Sequence, residues 1–253
     1  MDFSLLLTLL AAITGILWLA DMVSLKAHRT AGAHSRPWVT QYARSLFPVI
    51  VIVLIVRSFV IEPFRIPSAS MMPGLVDGDF IFVNKFAYGL RLPVIHTKVL
   101  SVGEPKRGDV VVFRLPSNPS EHYIKRLIGV PGDHVIVRDN RIFINGVRVA
   151  ASPDGHFAGG YGYTGANLEK ERIGDHEHLI MLDGKRLATD YDTVVPAGQY
   201  FFMGDNRNDS LDSRFAHVGF VPARNLDGRA MVIWMNWQFP GWPLWRRFGT
   251  KIT

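Results

Sequence analysis

The sequence predicts a mainly β protein: antiparallel sheets forming a core with a small inserted subdomain, preceded by two N-terminal transmembrane helices. Three observations predict it. Two long apolar runs lie within the first 61 residues of a 253-residue chain. Beyond them come short segments rich in β-branched and aromatic residues and bounded by Gly or Pro, the pattern of strands. No stretch after residue 62 carries a sustained helical period. Composition agrees, since nearly half of the residues are apolar and mean hydropathy is slightly positive. Cysteine is absent, which removes thiol nucleophiles, disulfides and thiolate metal sites. The net charge of +6 is modest, and its basic residues are scattered and not gathered in a stripe with regularly interleaved aromatics. Nucleic-acid binding therefore has little support, and attraction to anionic membrane lipid is the simpler account.

The first element is a transmembrane helix over residues 1–20, whose uncharged part, 3–20, is flanked by Asp2 and Asp21. Eighteen residues rise about 27 Å as a helix, close to the ~30 Å of a bilayer's hydrocarbon core. A cleavable leader competes with this reading, but it needs a positive n-region and only Asp2 stands there. A retained helix is preferred. Residues 21–44 form a basic loop carrying Lys26, Arg29, Arg36 and Arg44 against the single acid Asp21. A second transmembrane helix is expected over 45–61, interrupted by Arg57, which can snorkel to the headgroups. Its uninterrupted part, Ser45 to Val56, is also short enough for a buried core helix. With two spans, the positive-inside rule puts the loop in the cytoplasm and everything after residue 62 outside.

The core is expected over 62–133 and 194–253. Its strand candidates are D-F-I-F-V-N-K-F (79–86), D-V-V-V-F-R-L (109–115), H-Y-I-K-R-L-I-G (122–129), V-V-P-A-G-Q-Y-F-F-M from Val194, and R-A-M-V-I-W-M (229–235). An inserted β subdomain spans 134–193. It opens with a hairpin, H-V-I-V-R then Asp139-Asn140 then R-I-F-I, followed by a second turn at Asn145-Gly146. From about 150 the composition turns to small and polar residues, which predicts long loops. There His176 and His178 stand at period 2, but no third ligand follows at metal-site spacing, so a polar surface segment is expected. The stretch G-D-N-R-N-D-S-L-D-S-R (204–214) follows an apolar run and suggests a polar network laid against a core. Tryptophans and basic residues near the C-terminus suit a membrane interface or a core edge.

Between the second apolar run and the first strand lies F-R-I-P-S-A-S-M-M-P-G-L (64–75). Pro67 and Pro73 favour an extended backbone, in which Ser68 and Ser70, two residues apart, face the same side. A lone serine here would be an ordinary turn residue; as a nucleophile it needs a base. The chain has nine histidines. Those beyond residue 62 sit in loops or at segment edges without an obvious Asp partner, His122 being the best placed. The other option is Lys125, in the middle of an apolar strand, where Tyr123, Lys125 and Leu127 share a face. A solvated lysine with pKa ≈ 10.4 is neutral at under ~0.1% at pH 7, so a catalytic amine requires about 3 units of depression, roughly 4 kcal/mol, from burial. On the strand alone, a snorkelling surface lysine fits equally well.

Four segments in order carry a resemblance: I-E-P-F-R-I-P-S-A-S-M-M-P-G-L (61–75), R-G-D-V-V-V-F (107–113), Y-I-K-R-L-I-G-V-P-G-D (123–133) and G-D-N-R-N-D-S-L-D-S-R (204–214). Behind two membrane helices, they resemble the bacterial type I signal peptidase (leader peptidase) family. The resemblance covers the anchor and most of the outer domain and fades between about 140 and 193. It implies a catalytic core with Ser70 as nucleophile and Lys125 as general base, and an oxyanion hole from the Ser70 N–H and the Ser68 hydroxyl. It further implies that Ser210 orients the lysine amine, that Asp212 and Arg214 form a supporting ion pair, and that Tyr123 packs on the lysine stem. Phe64, Ile66, Met71, Leu75, Val112 and Ile124 match positions lining shallow pockets for small residues. The implied activity is removal of signal peptides from exported preproteins after Ala-X-Ala type sites, at the periplasmic face of the inner membrane. No cofactor or metal is implied; partners would be signal peptides, membrane lipid and the export translocon, with no nucleic acid. One departure is visible: the family usually reads G-D-N-R-D-N-S, and here Asn208 and Asp209 are exchanged. A self-cleaving repressor of the same Ser/Lys fold would need a helix-turn-helix and no spans, and a catalytically dead export subunit would not need Ser70 and Lys125.

Overall fold

A computed structural model of the chain describes residues 3–27, 38–91, 98–238 and 240–253. Two helices come first, α1 (Phe3–Ala27) and α2 (Trp38–Ile55), the second running into a π turn at Val56–Val60. Both exceed their expected bounds. Residues 21–27 and 38–44 contain no Gly or Pro, so the helices continue through much of the expected loop 21–44. Arg44 is helical, while Arg29 and Arg36 lie outside the described residues. The apolar windows Leu5–Val23 and Trp38–Val60 each have mean hydropathy 2.1 and are long enough to cross a membrane. Most of their apolar side chains, among them Ile13, Ile16, Val49 and Ile52, face outward. The helices meet where Trp18 packs on Phe47, with ring centroids 5.3 Å apart. Gly15 permits that approach, because a Cβ there would lie 2.8 Å from the Phe47 ring.

The strands follow in chain order: β1 (Ile61–Arg65), β2 (Asp79–Asn84), β3 (Leu90–Arg91), β4 (Lys98–Leu100), β5 (Val110–Arg114), β6 (His122–Gly129), β7 (His134–Arg138), β8 (Arg141–Ile144), β9 (Val147–Arg148), β10 (Ala150–His156), β11 (Asn167–Ile173), β12 (His176–Leu182), β13 (Tyr191–Val194), β14 (Gln199–Met203), β15 (Val221–Pro222), β16 (Leu226–Asn236) and β17 (Thr250–Lys251). Strands β3 and β4 pair with each other and group with the helices; Glu62–Gly89 and Ser101–Thr253 form a second compact unit. Its main sheet runs β1-β2-β16-β5-β6-β14-β15, with β17 on β16. Alternation sorts the core onto two faces. Val110, Val112 and Ile124 join Ile66, Met71, Leu75, Ile81 and Ile233 on one side, while Val111, Phe113 and Leu127 join Phe202 and Leu226 on the other. After residue 62 the described residues contain only single 3-10 turns and no α-helix.

Between β6 and β14 the hairpins form as their turns predict. Asp139 and Asn140 have φ of 48° and 61°, and Asn145 and Gly146 have 52° and 79°, the left-handed values of tight hairpin turns. The stretch from 150 differs from the expectation of long loops: β10, β11 and β12 make a three-stranded antiparallel sheet. Periodicity hid it because the inward face of β11 is acidic. Glu169 and Glu171 alternate with exposed Lys170 and Arg172 and are buried against arginines, Glu169 on Arg141 (Nη2 to Oε1 2.8 Å) and Glu171 on Arg207 (Nη1 to Oε1 2.7 Å). His178 also departs from the expected polar surface: its side chain is 2% exposed, with Nε2 3.3 Å from Glu171 Oε2. Burial pushes its imidazole pKa down.

Candidate active site

The chain leaves β1 and turns back at residues 66–75. Ile66 N–H donates to Asp79 O (2.8 Å) and Gly78 N–H to Ile66 O (3.0 Å), which anchors both ends on β2. The segment is not extended through both serines, as the prolines suggested. It bends at Ser68 and Ala69 and enters a turn at Ser70, closed by Leu75 N–H to Met71 O at 3.0 Å. The bend still brings the hydroxyls together, with Ser68 Oγ 3.3 Å from Ser70 Oγ. Below the turn, Arg247 bridges it to β2: Nη2 donates to Gly74 O (2.8 Å) and Nε to Asp79 Oδ1 (2.7 Å). Sequence alone gives no sign of this brace, because Arg247 lies far along the chain from both Gly74 and Asp79.

Lys125 rises from the middle of β6 and is 4% exposed. Its Nζ lies 2.6 Å from Ser70 Oγ and 5.4 Å from the Tyr123 ring centroid. The snorkelling alternative is thereby removed. Burial lowers the amine pKa to about 8, against the pull of the Asp212 and Asp205 carboxylates, which favour its charged form. Those carboxylates belong to the 204–214 loop, which is the polar network expected there. Arg214 grips Asp212 with two bonds of 2.9 Å, Asp212 Oδ2 accepts Gly204 N–H at 3.0 Å, and Arg126 grips Asp205 at 2.8 and 2.7 Å. The loop holds the serine turn through Asn206, whose N–H donates to Ser70 O (3.1 Å) and whose Nδ2 donates to Ala69 O (3.2 Å).

Ser210 differs from its implied role. Its Oγ is buried with no hydrogen-bond partner, so it makes no bond to the lysine amine here. It packs over Gly204, where a Cβ would lie 2.2 Å from Ser210 Oγ and 2.4 Å from Ser70 O. Glycine is therefore the residue that lets the two segments close. The Ser70 N–H donates to no backbone acceptor among the described residues.

A cleft of about 350 Å³ opens over Ser70, lined also by Ser68, Ala69, His122, Lys125 and Leu211. Of the six apolar positions implied for small-residue pockets, Ile124 lines this cleft. Met71 and Leu75 line a separate cavity of about 260 Å³ with Arg126 and His178. Ile66 and Val112 are buried in the core beneath, and Phe64 packs against that core and on the His122 ring, 5.4 Å between centroids. His122 has the acidic partner the sequence did not reveal: its Nε2 is 3.3 Å from Asp227 Oδ2 on β16. No hydrogen bond joins it to Ser70 among the described residues. Nor do three or more metal-ligating side chains converge among them. The arrangement offers a serine oxygen, a desolvated amine in contact with it and a second hydroxyl alongside, which are parts of acyl transfer.

Comparison with known proteins gives the same direction. The family described as signal peptidase, peptidase S26 matches residues 39–237. Signal peptidase I of Pseudomonas aeruginosa is 43% identical, over 95% of this chain and 94% of that protein. The Pseudomonas fluorescens protein of the same name is 44% identical over the same shares, and that of Haemophilus influenzae is 33% identical over 99% of this chain and 91% of that protein. A crystal structure of a signal peptidase I from Enterococcus faecalis, 30% identical, covers 51% of this chain and 98% of that one at a TM-score of 0.32, too low to bear on the fold.

Proposed function

This chain belongs to the signal peptidase, peptidase S26 family and is a peptidase; on that premise we propose that it cleaves signal peptides from exported preproteins by a Ser70–Lys125 dyad. The observation that carries the reading is the 2.6 Å contact between a buried lysine amine and a serine hydroxyl. With the amine at about 8, roughly a tenth of it is neutral at pH 7, about 200-fold more than for a solvated lysine. The neutral amine takes the Ser70 proton as Oγ attacks the scissile carbonyl carbon. The Ser70 N–H and the Ser68 hydroxyl donate to the resulting oxyanion. Lys125, now an ammonium, returns the proton to the leaving amine, and the acyl-enzyme is hydrolysed by water with Lys125 again as base. Ser210, whose hydroxyl has no competing partner, accepts from the ammonium while that charge exists. Asp212, clamped by Arg214, steadies the charge, and the Tyr123 ring covers the lysine stem.

Substrate side chains before the bond meet the cleft at Ile124, the one of the six implied apolar positions that lines it, while Ile66 and Val112 are buried in the core and Met71 and Leu75 line a separate cavity. Ile124 is itself almost fully buried, so its side chain offers a flat apolar wall, and a small side chain such as alanine is favoured at Ala-X-Ala type sites. The helices anchor the enzyme in the bacterial inner membrane with the basic loop inside, and the catalytic unit works on the periplasmic face beside lipid and the translocon. The test is cleavage of a preprotein by the detergent-solubilised chain. Wild type cleaves, Ser70→Ala falls to background, and Lys125→Arg is inactive because a guanidinium stays protonated and cannot accept the serine proton. Turnover by Lys125→Arg at the wild-type rate would refute the dyad.

A further inference from the structure

One wall of the cleft carries a charge to which the mechanism gives no task. Asp209 is the one carboxylate among the residues that line the cleft, where its neighbours include apolar Ala69, Ile124 and Leu211. It stands where the sequence departs from the usual family order, and it is held in place from the 150–193 segment. Tyr163 Oη donates to Asp209 Oδ2, and the Arg186 guanidinium pairs with Oδ1. Asn208 ties down the same turn: its Oδ1 accepts Asp183 N–H at 3.2 Å and its Nδ2 donates to Arg186 O at 3.2 Å. Asp209 is thus oriented as well as charged.

It is not used up. A carboxylate offers about four acceptor positions, and the two partners take one on each oxygen. The Asp209 side chain is 33% exposed and that of Arg186 47% exposed, so water screens their pairing and the compensation is incomplete. Apolar walls around a carboxylate concentrate its field on whatever enters the cleft. We propose that Asp209 is a specificity-determining residue that accepts a basic substrate side chain, Lys or Arg, near the scissile bond and disfavours an acidic one there, with Tyr163 as the positioning residue for its carboxylate and Arg186 as the exposed partner with which the substrate cation competes. This deepens the peptidase reading of the cleft and rests on it.

The test uses the full chain in detergent with preprotein peptides carrying Lys, Gln or Glu at each position around the cleavage site in turn. At one position wild type is expected to favour Lys over Glu by about 5-fold in kcat/KM, the scale of a partly screened ion pair. Asp209→Asn removes that ratio, Asp209→Glu retains it, and Arg186→Gln, which uncovers the carboxylate, widens it. Added salt narrows it. A wild-type ratio of one at every position overturns the proposal, as does a ratio that survives Asp209→Asn. The Gln peptides separate the two levels: if wild type fails to cleave them, or Ser70→Ala cleaves them, the peptidase reading fails, whereas cleavage without a Lys–Glu difference sinks the specificity alone.

Discussion

Two serine hydroxyls stand 3.3 Å apart and only Ser70 touches the lysine amine, so the proposed mechanism divides them between attack and support. Ser68 is left to donate, so Ser68→Ala should lose about 10²–10³ in kcat yet stay measurable, on the scale of one oxyanion donor. Steady-state kcat on one peptide checks this, and full turnover would send the search for the second donor elsewhere. Lys125 costs the fold something. Holding its amine at about 8 and not 10.5 disfavours the ammonium by roughly 3 kcal/mol. The unfolded chain binds that proton more tightly, so this group's contribution to stability rises as pH climbs from about 8 to 10.5. The acids nearby keep the cost from growing: Asp212 and Asp205 both favour the charged amine.

At the scale of elements, the site is a strand, a turn and a loop closed at a glycine. A Cβ on Gly204 would strike the Ser70 carbonyl at 2.4 Å, and backbone cannot step aside as a side-chain tip can. Gly204→Ala should therefore shift the serine turn and lower kcat by more than about 100-fold, as small misplacements at a reacting centre do; wild-type kcat in this variant would show that the closure does not matter. Strand β6 was legible to the residue, since its apolar run ends at a Pro-Gly turn and both hairpin turns carry residues that tolerate positive φ. Strands β10 to β12 were not, because the inward residues of β11 are glutamates whose arginine partners, Arg141 and Arg207, lie far away in sequence. The same distance hid Asp227 behind His122 and gave no sign that His178 is buried. The helix bounds were missed for another reason: charge marked the expected loop 21–44, but residues flanking an apolar run without a breaker simply continue the helix. Of the site, the pairing of Ser70 with Lys125 could be read from the order of four segments. The bend at Ser68 and the unpartnered Ser210 Oγ could not, because they depend on how the 204–214 loop packs.

For the whole molecule, two helices apolar enough to cross a membrane are compatible with an anchored enzyme, and the proposed function has its substrates arrive from the outer side. Protease added to spheroplasts should digest the chain after residue 62 and spare the Lys26–Arg44 region; a protected β unit would contradict the orientation. The measurement that bears most directly on the mechanism is the pH profile of kcat/KM for the intact chain in detergent, wild type beside His122→Ala. A lysine base must lose its proton to act, so activity should climb with pH along an acid limb near 8, the value to which burial brings Lys125. That limb should be unchanged in His122→Ala. A limb near 6.5, the range of an ordinary histidine, that disappears with His122 would mean that imidazole, and not the Lys125 amine, activates Ser70.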